Sequence, residues 1–506
     1  MRDQQMSEQM GGADARAVGG GTLVALHVTN SPHLQTAPGL DSEVAAAVAA
    51  RAGLRDGRPF VLGADGSYDV ALNRFFRELD GWGVRASNSI AAYARDITLF
   101  CRFLHESRGG KSIWAADGGD LRAYKQVRLR TPGSAQVSVA TWRRSIAALN
   151  KWVAWALSEE LIAAEPFRYR DATVSTPQGP RHVRVNTGTE PDPGPAPVRF
   201  VSFTDYLSWR DVGLRGRLPD GRVDPTWRGH HDERNAAFAD LLVSTGMRLS
   251  EAAALLVPEL PALPSDRAGK LSGIHLGQAV TKRSRSRVVF PSLRCLRSLH
   301  HYAQIERDEV VTRIRAAGGY RTDEATVLVG WVGLLGLTLA QGGSPSYGKL
   351  DPATRAQLMQ VMPNGEVAGP LALWLGSDGT PVAPSTWQSV FARANARCAR
   401  LDLDVRISPH VLRHVFAVHM LGLLLRQTVV ALGEGPAQHL TSAAVKRLLV
   451  GNPLRTLQRL LGHASEATVY AYLDVLDEAQ EIVAAALEEW DSPPSAGGGP
   501  ADETGP

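Results

Sequence analysis

The chain has 506 residues, 44% of them hydrophobic and 21% charged, which suits two to four packed domains and excludes a wholly disordered chain. Three widely spaced cysteines, Cys101, Cys295 and Cys398, argue against a disulfide framework or a zinc module and read as intracellular. The net charge of +4 is unevenly spread: residues 1–50 hold two basic and five acidic side chains and residues 474–506 hold nine acidic and no basic ones, which leaves +16 on residues 51–473 and points to a polyanion such as nucleic acid.

Residues 1–66 are Gly- and Ala-rich with little periodicity and read as a flexible N-terminal arm. They lack a basic segment leading into an apolar run, so no secretory signal is expected and the protein reads as cytoplasmic. From Tyr68 the pattern turns helical. Leu72, Phe75, Phe76 and Leu79 recur at helix spacing, and a second helix runs from Asn88 to Leu104 with Ile90, Ile97, Phe100 and Leu104 on one stripe. Two further helices are predicted over Asp120–Arg130 and Ser138–Glu160, the last carrying Trp142, Ile146, Leu149, Trp152 and Val153. Residues 67–170 thus predict a four-helix bundle.

Residues 171–198 contain six prolines and three glycines and read as an extended linker. A larger, mainly helical unit follows over 199–490, with one strand-like stretch from Ile274 to Pro291, and residues 491–506 read as a disordered tail. The longest apolar run, Ala325–Ala340, has 16 residues and three glycines; it is too short to span a bilayer and reads as a buried helix or strand.

Four stretches of the larger unit hold the polar residues that could carry chemistry. In Thr245-Gly-Met-Arg248-Leu-Ser-Glu251, the Arg248 fork matches a phosphate, and Glu251 three residues on could orient it. Alone, this stretch fits an ordinary surface pair better. Thr281-Lys282-Arg283-Ser-Arg285-Ser-Arg287 reads as the basic tip of a hairpin. Its lysine is one of 7 beside 48 arginines, an imbalance that GC-rich coding would also produce. An ammonium can give a proton to a leaving oxygen, and a solvated basic turn is an equal reading.

Pro409-His410-Val-Leu-Arg413-His414 sets imidazole and guanidinium on one face behind a proline that marks a helix start, with His414 and His419 read as packing or solvent-facing. In Leu461-Gly462-His463-Ala-Ser-Glu-Ala-Thr-Val-Tyr470-Ala-Tyr472, Gly462 ends one helix and His463 sits on the turn; a buried tyrosine here is more often a packing residue than a nucleophile.

In order and residue type together, these stretches resemble the tyrosine recombinase (phage integrase) family, whose pattern is Arg…Lys…His-x-x-Arg…His…Tyr. The resemblance spans about residues 67–490. It implies an N-terminal core-binding (SAM-like) helical domain and a mixed α/β catalytic domain, mainly α with a small sheet, forming a C-shaped clamp on duplex DNA. It implies Arg248, Lys282, His410, Arg413 and His463 as catalytic residues, with Tyr472, nine residues after His463, as the nucleophile. Glu251 supports Arg248, and Arg283, Arg285 and Arg287 contact DNA.

The implied reaction is site-specific strand exchange through a 3′-phosphotyrosyl link, with His410 helping Tyr472 lose its proton and Lys282 protonating the leaving 5′ oxygen. It needs neither a metal nor another cofactor. The implied assembly is a tetramer, two protomers per recombination site, with accessory or directionality proteins as possible partners and no membrane. The intervals from Lys282 to His410 (128 residues) and from Arg413 to His463 (50 residues) exceed those of compact members, so insertions are expected near 305–372 and 422–452. A type IB topoisomerase-like enzyme and a non-catalytic DNA-binding protein of the same fold are the competing readings.

Overall fold

The computed structural model describes residues 24–28, 57–133, 135–176, 179–192, 201–263, 273–323, 325–433, 452–463, 467–470 and 472. They fall into two compact units, with the division between Ala196 and Pro197.

In the first unit the four amphipathic stretches form helices α1 (Val70–Glu78), α2 (Ser87–Ser107), α3 (Gly118–Leu129) and α4 (Val139–Ser158). Their apolar stripes meet in an aromatic core that fully buries Phe75, Phe76, Trp142, Trp152 and Trp155. Local chemistry sets the helix starts. Ser138 accepts from Thr141 N at the head of α4, and Asp117 and Asp120 form a reciprocal capping box on α3. Buried Asp96 on α2 accepts from Arg144 and Ser145 on α4, which satisfies its charge and fixes how the two helices meet.

Two expectations about the ends of this unit need correction. Residues 24–28 and 57–66 of the supposed flexible arm are folded: β1 (Ala25–Val28) pairs antiparallel with β2 (Pro59–Leu62). Val24 and Val61 enter the helical core, and the Asn73 side chain bonds both the N–H and the C=O of Val61. The rest of the arm lies outside the described residues. Residues 171–186, expected as linker, are hydrogen-bonded strand: β3 (Tyr169–Thr176) and β4 (Gly179–Asn186) form a hairpin in register from Tyr169↔Asn186 to Thr176↔Gly179. Val, Thr and Tyr fill its ladder, and Pro180 stands near the end beside the turn, where a missing N–H costs little. Asn150 on α4 accepts from both Tyr169 Oη and Asn186 Nδ2, so the hairpin is bound to the bundle.

The second unit is built around α6 (Asp232–Thr245), which follows α5 (Phe203–Trp209) and is buried on every side from Arg234 to Val243. Around it pack α8 (Leu293–Gln304), α11 (Pro384–Arg400) and the first turns of α12 (Pro409–Gly433), in a core where Trp387 stacks on Phe238 at 3.6 Å. Short α7 (Leu249–Ala253) follows α6 directly, and β5 (Ile274–Leu276) pairs with β6 (Arg287–Val289) as the expected hairpin. The chain is mainly helical with small sheets, in line with the fold class read from the sequence.

The segment near 305–372 contributes α9 (Glu306–Ala316), α10 (Pro352–Ala356) and a four-stranded sheet of order β10-β9-β7-β8. Its strands are β7 (Val327–Val332), β8 (Leu337–Leu339), β9 (Leu358–Val361) and β10 (Val367–Pro370). The apolar run is therefore strand, but it is not buried throughout: Trp331, Leu334 and Leu335 at and near the hairpin tip are 63%, 89% and 80% exposed. Val329 and Leu337 enter a small core with Leu256 and Tyr347, and the tip of the hairpin projects beyond it. Arg355 ties this insertion to the chain beyond α7. Its guanidinium bonds both carboxylate oxygens of Glu259 and the carbonyls of Ala254, Leu350 and Tyr347. Residues 434–451 of the second expected insertion, and the tail, lie outside the described residues. Among the described residues no helix is long and apolar enough to cross a membrane.

Candidate active site

The end of α6 and the start of α7 set the first functional side chain. Gly246 closes α6 in the left-handed conformation (φ 62°), and a Cβ there would lie 2.3 Å from Phe416 of α12. Both the dihedral and the close approach demand glycine. Arg248 then occupies the N-cap of α7, where its N–H donates to Glu251 Oε2 at 2.8 Å and its Nη1 to Glu251 Oε1 at 3.0 Å. Glu251 therefore orients Arg248, as expected.

Glu251 has a second partner that the sequence did not announce. Arg287 of β6 donates through Nη1 (3.0 Å) and Nη2 (2.5 Å) to the two carboxylate oxygens and through Nε to the carbonyl of Leu460. Its side chain is only 8% exposed, and all three guanidinium nitrogens are engaged within the protein. Burial pushes the Glu251 pKa up, and the bonds and charges of Arg287 and Arg248 outweigh it and hold the group below its usual value.

Pro409 opens α12, and His410, Arg413 and His414 follow on one face of its first turns. Arg413 is buried. It donates to the carbonyls of Gly246 and Leu461 and so pins the end of α6 to the end of α13 (Pro453–Leu461). Burial, with Arg248 and Arg287 nearby, lowers its pKa to about 10, still cationic at neutral pH. Gly462 ends α13 at φ 64°, and His463 follows with its ring half-buried and its Nδ1 without a bonding partner among the described residues. Its pKa falls to about 4, first through burial and then through Arg413, Arg248 and Arg287.

Tyr472 lies in a small apolar cluster with Phe416, Leu457, Leu461 and Val469, the last from α14 (Ala467–Tyr470). Its hydroxyl lies 3.2 Å from His414 Nδ1, and its ring is stacked 6.4 Å from that of His463. Burial raises its pKa against the pull of Arg413 and Arg248. Tyr470, the neighbouring candidate, is exposed.

The structure thus brings Arg248, Glu251, Arg287, His410, Arg413, His414, His463 and Tyr472 together where α6, α7, β6, α12 and α13 meet. It does not tie Lys282 or Arg285 to that cluster. Both are exposed on the loop between β5 and β6, without a hydrogen bond or ion pair to any described residue, and the Arg283 side chain lies outside the described residues. His410 is exposed; partial desolvation, then Arg413 and Arg248, lower its pKa, and it makes no hydrogen bond to Tyr472. His414, read from the sequence as packing or solvent-facing, holds that bond instead. Its position one helical turn after His410 was the available signal. Among the described residues no group of three or more His, Cys, Asp or Glu side chains could hold a metal ion.

Guanidiniums and imidazoles gathered beside a buried phenol are the groups that a DNA breaking and rejoining enzyme needs. Residues 72–160 match the phage integrase N-terminal SAM-like domain and residues 224–430 match the phage integrase family. The chain belongs to that family, the tyrosine recombinases. It is 25% identical to the tyrosine recombinase XerD of Corynebacterium glutamicum over 400 residues, 78% of this chain and 91% of that protein. It is 31% identical to the tyrosine recombinase XerC of Chromohalobacter salexigens over 194 residues, 38% of this chain and 52% of that protein. Among solved structures it is similar to the XerH site-specific recombinase bound to palindromic difH substrate (TM-score 0.43, 14% identity, 84% of this chain and 86% of that one).

Proposed function

We propose that this protein is a cytoplasmic site-specific recombinase that cuts and rejoins duplex DNA at recombination sites through a 3′-phosphotyrosyl intermediate on Tyr472. The observation that carries the reading is the convergence of Arg248, Arg413, His410 and His463 on the side of the protein that holds the Tyr472 hydroxyl.

A phosphodiester repels nucleophiles by its charge and has a poor leaving group. Arg248 and Arg413 answer the first difficulty. Arg248 is oriented by Glu251 and Arg413 is anchored by two carbonyls, so each guanidinium is aimed before the phosphate arrives. His410 and His463 lie beside the same guanidiniums and donate to the non-bridging oxygens as charge builds in the transition state. Removing one such donor typically costs ~2.7–4 kcal/mol of barrier. Lys282, on its exposed loop, answers the second difficulty by protonating the departing 5′ oxygen.

The covalent link conserves the phosphoester, so a 5′-hydroxyl of a partner duplex can displace Tyr472 without ATP or a metal. Four protomers, two on each site, carry this out, with accessory proteins setting direction.

The test uses a duplex selected from random sequences by retention on the full-length protein, then nicked so that the cut fragment diffuses away. The reading expects a covalent protein–DNA adduct with the wild-type chain and none with Tyr472→Phe. An adduct that persists in Tyr472→Phe would show that another residue is the nucleophile. Exchange between two selected sites, beyond relaxation of supercoils, separates a recombinase from a topoisomerase.

A further inference from the structure

Resting on the recombinase reading above, we propose that His414 takes the phenolic proton of Tyr472 during attack, in place of His410. Tyr472 Oη and His414 Nδ1 are 3.2 Å apart, with ring centroids 5.6 Å apart and planes inclined at 53°. No other described side chain bonds that hydroxyl. His410 lies one helical turn earlier, its ring 4.4 Å from that of His414 and open to solvent, with Arg413 and Arg248 nearby. The two imidazoles therefore divide the work: His410 serves the phosphate oxygens and His414 serves the nucleophile.

The step balances within the residues named. The Tyr472 oxygen bonds to phosphorus while the bond from phosphorus to the 5′ oxygen breaks. The phenolic proton moves to His414 Nδ1, and the 5′ oxygen takes a proton from the Lys282 ammonium. Rejoining reverses each move, so the His414 imidazolium returns its proton to the departing phenolate. To accept, His414 must carry its resting proton on Nε2.

The groups facing His414 are His410 and Arg413 on its own helix, with Tyr472 and His463 from beyond it. Burial, then His410 and Arg413, hold its pKa at about 4, so the ring is neutral and able to accept. A phosphate bound between Arg248 and Arg413 would cancel the positive field that weakens this base. The proton therefore moves as attack proceeds and not before, which limits Tyr472 ionisation when no DNA is bound.

The experiment follows adduct formation on the selected, nicked duplex by the full-length protein. His414→Ala is expected to slow it roughly 100-fold or more, with duplex retention unchanged and with added imidazole restoring part of the rate. His414→Asn, which keeps a hydrogen-bonding side chain but cannot take the proton, is expected to remain as slow. A His414→Asn rate equal to wild type overturns the proposal, since His414 would then only position Tyr472. Rescue by imidazole in His410→Ala but not in His414→Ala also overturns it and returns the role to His410. Absence of any wild-type adduct overturns the recombinase reading itself, an outcome distinct from either.

Discussion

Glu251 holds two arginines with one carboxylate. Its carboxylate is fully buried and receives the N–H and Nη1 of Arg248 and both Nη groups of Arg287. In Glu251→Ala the Arg287 guanidinium, 8% exposed, keeps only the Leu460 carbonyl, while Arg248, 27% exposed, can turn to water. Breaking a buried pair from one side costs about 3–5 kcal/mol, most of it the charge left unpaired. The loss should therefore fall on Arg287, and Glu251→Met with Arg287→Met together should recover most of it. Because two units unfold, a whole-chain melting curve would blend them. Hydrogen exchange against urea, read on peptides covering 232–253, isolates the second unit. The expected result is a loss of about 3–5 kcal/mol for Glu251→Ala and for Glu251→Met alone, a similar loss for Arg287→Met alone and a much smaller one for the two methionines together. Additive losses in the double variant would refute the argument, because residues 251 and 287 would then act independently.

Three other outcomes follow from the same geometry. Gly246→Ala should destabilise the second unit by roughly 2–4 kcal/mol, combining a left-handed alanine with overpacking against Phe416. Gly462→Ala should cost somewhat less, about 1–3 kcal/mol, since the φ penalty is similar but its Cβ meets Arg287 at 3.2 Å where that of residue 246 would meet Phe416 at 2.3 Å; the same exchange experiment ranks the two. His414 and His463 have folded pKa values of about 4, below an unfolded value of about 6.5. Between those limits the unfolded chain binds more protons, so their contribution is complete above pH ~6.5 and is lost as pH falls towards 4. The protection of peptides 409–420 measured across that range should fall, and His414→Gln should flatten the fall. Lys282→Ala should slow cleavage of an ordinary duplex but not of one whose scissile 5′ oxygen is replaced by sulfur, a group that leaves without a proton; equal slowing on both would remove Lys282 from that role.

The helices of the first unit were legible because burial of one stripe per helix leaves a 3.6-residue pattern that neighbouring segments cannot disguise, as in Phe75–Phe76 and Trp142–Trp152. The β3–β4 hairpin was not, because its ladder lies among prolines that dominate the composition of 171–198, although Val183 and Val185 alternate with His182, Arg184 and Asn186 as a strand requires. The apolar run 325–340 showed its β-forming residues but not its exposure, which depends on the hairpin tip projecting beyond the small core that Val329 and Leu337 enter. At the candidate site, Arg248, Arg413, His463 and Tyr472 came from the resemblance of four stretches, taken together, to a family pattern, since each stretch alone fitted a surface pair or a packing residue as well. The destination of Arg287 could not be read: a basic residue at a hairpin looks the same in sequence whether it faces solvent or a buried carboxylate 36 residues away. The His414 bond to Tyr472 joins residues 58 apart and was hidden for the same reason.

The central claim, that Tyr472 is the residue to which DNA becomes joined, is most directly tested on the adduct itself. Protein trapped on the nicked duplex is digested with nuclease and protease, and the modified peptide is sequenced by mass spectrometry. The account predicts a nucleotide remnant on Tyr472 and an unmodified Tyr470, in keeping with the buried hydroxyl of the one and the exposure of the other. A remnant on Tyr470, or on any residue outside the cluster of Arg248, Arg413 and His463, would contradict it.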